Sequence, residues 1–161
     1  MKRIVILFAA LLLTCSAFAQ NGKSIYQKYS DAEKVSAVYV SPAMFRMIGR
    51  IPDLEMGDDN VNLSPVIRAL TGLYILNSEN PDINGNLRAD AERFIKSGKY
   101  ELLMEAKESG EVMRLYTVGD ENIVHSLVML AREATETSFI CLDGDMPRDQ
   151  LESLIAEATK E

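Results

Sequence analysis

The sequence has little histidine and cysteine: one histidine, His125, and two cysteines, Cys15 and Cys141. A histidine-based triad needs an activated nucleophile and an orienting acid, and no nucleophile-elbow pattern is present. Zinc normally takes three or four nitrogen, sulfur or oxygen ligands, which one histidine with one cysteine does not supply. No glycine-rich loop is placed to cradle a phosphate. Internal repeats at solenoid periods and low-complexity tracts are absent. Positive charge is also short: 17 Lys and Arg stand against 24 Asp and Glu, a net charge of −7. A chain of that sign meets phosphate repulsion instead of releasing counterions, so nucleic acid is a poor partner. No basic patch offers a hold on anionic lipid.

One apolar run is present, at the N-terminus. Lys2 and Arg3 form a basic start, and Ile4 to Leu13 form an apolar core of about ten residues, the usual length in a signal peptide. Ala17-Phe18-Ala19 is the small-x-small pattern read by signal peptidase. The expectation is a signal peptide over residues 1–19, a mature start at Gln20, and a periplasmic or secreted protein. The run is too short for a permanent membrane span. Cys15, which follows Leu12-Leu13-Thr14, leaves a lipoprotein signal as the alternative, and membrane contact is expected only in that case. The remainder, residues 20–161, suits one domain with one core. Losing residues 1–19 removes two basic and no acidic residues, which moves the net charge from −7 to −9. Cys141 is then alone, between Ile140 and Leu142. A buried small hydrophobe is the favoured reading, with an intermolecular disulfide as the alternative.

Tyr100 to Leu142 organises the chain. Tyr100, Leu102, Met104 and Ala106 stand at alternate positions, the period of a half-buried strand. Glu108-Ser109-Gly110-Glu111 is a hairpin turn, because glycine tolerates the positive φ that such turns need. Val112 to Val118 is the next strand, and Gly119-Asp120-Glu121 turns the chain again. Ile123 to Arg132 is apolar on both faces, which marks a strand covered on both sides. Its spacing also permits a helix, but its β-branched residues and flanking turns favour the strand. Ser138 to Leu142 is the last strand.

Before this meander, Val35 to Val40 reads as a strand. Ser41-Pro42 and Ser64-Pro65 each open a helix, serine capping the amides and proline suiting the first turn. Met44 and Met47 are expected in the core of the first of these helices; an adaptable contact surface is the alternative. Gly49 to Asn62 reads as irregular and Leu73 to Leu76 as a second strand. Leu87 to Ser97 forms a helix ended by Gly98, and Asp145-Met146-Pro147 opens a final amphipathic helix. The expected fold is α+β: a single mixed, mostly antiparallel sheet with helices on one face and a C-terminal β-meander followed by a helix. The first two strands could be parallel.

A Tyr- and Lys-bearing leading helix, Val38-Tyr39-Val40-Ser41-Pro42-Ala43-Met44-Phe45, the strand start Lys99-Tyr100-Glu101 and the late meander together resemble the DUF4252 family of exported Bacteroidota proteins, over roughly residues 22–158. The family has no established activity, so the resemblance implies a compact exported domain and a neighbourhood of envelope-signalling genes, and no site residues.

Two acidic patterns are candidate cation sites. Asn80, Asp82, Asn84 and Gly85 fall at the first, third, fifth and sixth positions of an EF-hand spacing, but the ninth is Arg88 and the twelfth, where a bidentate Glu belongs, is Ala91. A turn and helix start is favoured there. Asp143 and Asp145, with Asp149, could bind a hard cation or do acid–base work, but a turn, an N-cap and a helix-dipole partner explain them better. Asp58-Asp59 is an exposed loop on the same terms. No cofactor is expected. The leading functional expectation is a non-enzymatic domain that binds a protein partner or itself through exposed apolar sheet surface. The alternatives are a cation-binding or cation-dependent hydrolytic domain using the acidic loops, and a carrier of a small apolar ligand.

Overall fold

In the computed structural model, the structure describes residues 21–50, 55–56, 61–62 and 64–158. The signal peptide expected at 1–19, with Cys15, and the Asp58-Asp59 pair lie outside them.

The chain opens with α1 (Gly22–Tyr29), whose first amides are tied by a reciprocal cap. Asn21 Oδ1 accepts from the Ser24 amide at 2.8 Å, and the Ser24 hydroxyl accepts from the Asn21 amide at 3.0 Å. Next come β1 (Val35–Val40) and α2 (Pro42–Ile48), whose N-terminus is capped by Ser41. A short ribbon of β2 (Glu55–Met56) and β3 (Val61–Asn62) breaks the stretch expected to be irregular. Then follow α3 (Ser64–Ala69), β4 (Leu70–Ser78), α4 (Pro81–Ser97), β5 (Glu101–Glu108), β6 (Glu111–Gly119), β7 (Ile123–Arg132), β8 (Thr137–Pro147) and α5 (Arg148–Ala158).

Six strands form one open sheet in the order β1-β4-β8-β7-β6-β5, with every pairing antiparallel. The parallel pairing that chain order permits for the first two strands does not occur. Val40, the end of β1, lies opposite Leu73 near the start of β4, so α2, the ribbon and α3 return the chain at the end of the sheet where it left. No crossover over the sheet is made, and an antiparallel partner results. Ile123–Arg132 is a strand, as its β-branched residues indicate. The β5–β6 turn is two residues, Ser109 and Gly110, at φ 50° and 89°, the left-handed pair that matches strand twist.

Other details also depart from the sequence expectations: α4 begins at Pro81 instead of Leu87, and β4 spans Leu70–Ser78 instead of Leu73 to Leu76. The last strand does not stop at Leu142 but runs to Pro147, so Asp145, Met146 and Pro147 are strand and the helix begins at Arg148. Extension is stabilised by pairing on both sides, Gly144 against Leu70 and Met146 against Val124. Met44 and Met47 are 48% and 67% exposed, while Phe45 is the side chain that α2 buries. A helix of seven residues resting on α3 buries one stripe, and here Phe45 occupies it.

The main core lies between the sheet and helices α1 and α4. Ile25, Tyr29, Leu87, Ala91, Phe94 and Ile95 descend from the helices onto Tyr74, Leu76, Val128, Leu130, Phe139 and Cys141 of the sheet. Gly22 begins α1 directly above Cys141: a methyl group there would collide with Cys141 Sγ. A smaller cluster joins Val66 of α3 and Leu151 of α5 to Val124, Met146, Leu127 and Leu142. Leu127 and Leu142 alternate with Val128 and Cys141, so this second cluster sits at one end of the opposite face.

Candidate functional site

The residues singled out for chemistry are dispersed. His125 is half exposed at a register shift in β7, where its Nδ1 lies 2.8 Å from Asp145 Oδ1 and its Nε2 4.0 Å from Asp120 Oδ2. No hydroxyl or thiol is bonded to it among the described residues, so the imidazole is held by carboxylates without a nucleophile to activate. Asp120 itself serves the β6–β7 turn. Its Oδ1 accepts from the amides of Asn122 and Ile123 at 2.8 Å each, and those bonds hold its carboxyl below the usual range.

The three acids grouped by sequence go separate ways. Asp143 accepts from the Cys141 thiol at 3.3 Å, Asp145 faces His125, and Asp149 accepts from the next amide in the first turn of α5. Among the described residues no three His, Cys, Asp or Glu side chains are placed to share a metal ion. Asn80, Asp82, Asn84 and Gly85 are the cap and first turns of α4. Asn80 Oδ1 accepts from the Asp82 amide at 3.0 Å, and Asn84 Nδ2 donates to the Thr135 carbonyl at 3.0 Å. Cys141 is fully buried, and burial, followed by the Asp143 charge, pushes its thiol well up, away from the reactive thiolate.

A feature without reactive groups is far larger. Side chains directly opposite on paired strands share a face. Register places Val38 of β1 beside Ile75 of β4, Ile75 beside Ile140 of β8, Ile140 beside Met129 of β7, Met129 beside Leu115 of β6, and Leu115 beside Met104 of β5. One apolar row therefore crosses all six strands. It faces away from α1 and α4, because its members alternate with the core residues Leu76, Phe139, Val128 and Leu130. None of the six belongs to either core cluster. Val38 and Met104, at the two edges, are 49% and 47% exposed, and the four between are part exposed. On one side the row is bordered by Val40, Leu73, Leu142 and Leu127, which lead into the smaller cluster. On the other it meets a polar margin, where Ser138 Oγ donates to Asn77 Oδ1 at 2.8 Å.

Residues 29–154 match the family described as Domain of unknown function (DUF4252). The chain belongs to the DUF4252 family. No curated protein and no solved structure matches it. In this DUF4252 chain the two-faced apolar β7, expected to be covered on both sides, is covered by the main core only on its Val128 and Leu130 face, and the Met129 side belongs to the open face of the sheet. Its full extent needed the register, because Ile75 and Ile140 sit on strands whose apolar residues also run on both faces. Sequence reasoning missed Asp90. This buried carboxylate of α4 accepts from Lys28 Nζ at 2.5 Å, from the Tyr29 hydroxyl at 2.8 Å and from Arg93 Nη1 at 2.9 Å, fastening α1 to α4. Burial opposes its ionisation, but Lys28, Tyr29 and Arg93 together outweigh burial and hold the carboxyl below the usual range. A lone acid on a helix carries no periodic signal that would reveal such a role.

Proposed function

We propose that this protein is an exported, non-enzymatic binding domain whose open sheet face is buried against another protein, either a partner or a second copy. The row of six apolar side chains outside both core clusters carries this reading. Contiguous exposed apolar surface of this kind favours association, since water released from both surfaces supplies the driving force. The face, and not the β5 edge, is the attachment point. Edge strand β5 carries Glu101, Glu105, Lys107 and Glu108 and a register shift between Leu102 and Met104, features that discourage another strand from adding to the edge. The export component rests on the leader pattern of residues 1–19.

Sedimentation of the purified protein, together with affinity capture from its native envelope, tests the reading. The expected outcome is a dimer or a retained partner. Changing Ile140→Lys and Met129→Lys together should abolish either one while the folded circular-dichroism spectrum persists. A monomer that retains nothing, or association indifferent to both substitutions, would sink the proposal.

A further inference from the structure

On the opposite, helix-bearing side, a cleft of about 130 Å³ opens where α4 stops covering the sheet. It is lined by Arg88 and Glu92 of α4, Val112 and Arg114 of β6, and Leu130 and Arg132 of β7. Three guanidinium groups around one small space are unexpected in a chain of net charge −7. Two of them lack a carboxylate partner: Arg88 Nη1 donates to the Thr137 hydroxyl at 3.1 Å and Arg132 Nη2 to the Gly110 carbonyl at 3.2 Å, and neither forms an ion pair among the described residues. Arg114 is shared with Glu105, 2.6 Å away, and Glu92 forms no ion pair among the described residues. A guanidinium has five N–H donors, and the one hydrogen bond that Arg88 and Arg132 each make here leaves most of theirs unused.

From this arrangement we infer that the Arg88–Arg114–Arg132 cleft is a binding site for a small oxyanion group, a phosphate or a carboxylate. Planar guanidinium forks match both groups in bidentate fashion. Leu130, nearly buried at the floor, and Val112 limit water around the anion and strengthen the pairing. Glu92 opposes the three cations and weakens the site without neutralising it. A purely structural role for the arginines would be to cover Leu130 and Val112 with their stems. That role depends on the stem and not on the charge, and it gives no saturable binding of an anion, which separates the two.

The test is a two-dimensional NMR titration of the purified protein with inorganic phosphate and, separately, acetate, each at constant ionic strength against a chloride reference. Saturable shifts are expected for amides of β6, β7 and the Arg88 turn, and the better-binding anion identifies the natural group. Arg88→Gln and Arg132→Gln should each weaken binding about tenfold or more, as lost hydrogen bonds to a charged group do. Arg→Lys at the same positions should weaken it less, Glu92→Gln should tighten it, and Arg46→Gln on α2 should leave it unchanged. Unsaturating shifts with both anions, or binding that Arg46→Gln weakens as much as Arg132→Gln, would overturn the assignment. The shift pattern of each variant also reports whether it remains folded.

Discussion

The two faces of the sheet are built from the same strands and are nearly equal in apolar character, yet they have opposite fates. On one, Leu76, Phe139 and Val128 are fully buried under α1 and α4. On the other, Ile75, Ile140 and Met129 stand one residue away and remain outside any cluster. Hydrophobicity does not separate the faces. The helices do, because α1 and α4 pack on one side only and α3 and α5 reach one end of the other. An apolar residue on a strand therefore has no fixed role until its face has a neighbour.

Neighbouring residues of β8 give the sharpest way to break this comparison. Phe139→Ala should cost about 3–5 kcal/mol, since the large side chain leaves a cavity that rigid surroundings fill poorly. Ile140→Ala should cost well under half of that, because its side chain is already part exposed. Urea denaturation of both variants measures the gap, and equal losses would mean that both faces are covered.

Asp90 sharpens the comparison, because it holds together the two helices that cover the buried face. Asp90→Ala strands the buried Tyr29 hydroxyl and should cost about 2 kcal/mol. Its folded carboxyl lies below the ordinary value of 3.8, so its contribution is fully present above that value and is lost as pH falls below it, through the depressed folded value. Asp90→Asn should accordingly flatten the acid limb of stability against pH. An unchanged acid limb would mean that the network adds nothing to helix docking.

Gly22→Ala is expected to cost about 1–3 kcal/mol, from overpacking where α1 rests on Cys141. Hydrogen exchange should locate the loss in α1 and the middle of β4 and β8 while the β5–β6 hairpin stays unaffected. Uniform loosening of the molecule would contradict a local collision.

Much of the fold was legible because its signals are local. Ser41-Pro42 capped α2, Gly98 closed α4, Ser109-Gly110 turned β5 into β6, and β-branched residues carried Ile123–Arg132 as a strand. The misplaced features were those that depend on distant partners. Asp143-Gly144-Asp145 has the composition of a turn, but Leu70 pairs with Gly144 and holds the segment extended. Met44 and Met47 have helical core spacing, but Phe45 takes the one stripe that α2 buries. The grouped Asp143, Asp145 and Asp149 drew attention by proximity in sequence. The arginine cleft went unseen because Arg88, Arg114 and Arg132 lie on three separate elements and meet only in space.

The amino-acid sequence by itself determined the succession of helices and strands, the acidic balance and the family, since caps, turns, alternation and charge act between near neighbours or as sums over the chain. Only the tertiary structure decided the antiparallel register, which apolar face is covered and which is left open, and where three guanidiniums converge. Those outcomes arise from contacts between residues far apart along the chain, and no local pattern encodes which surfaces the folded chain brings together.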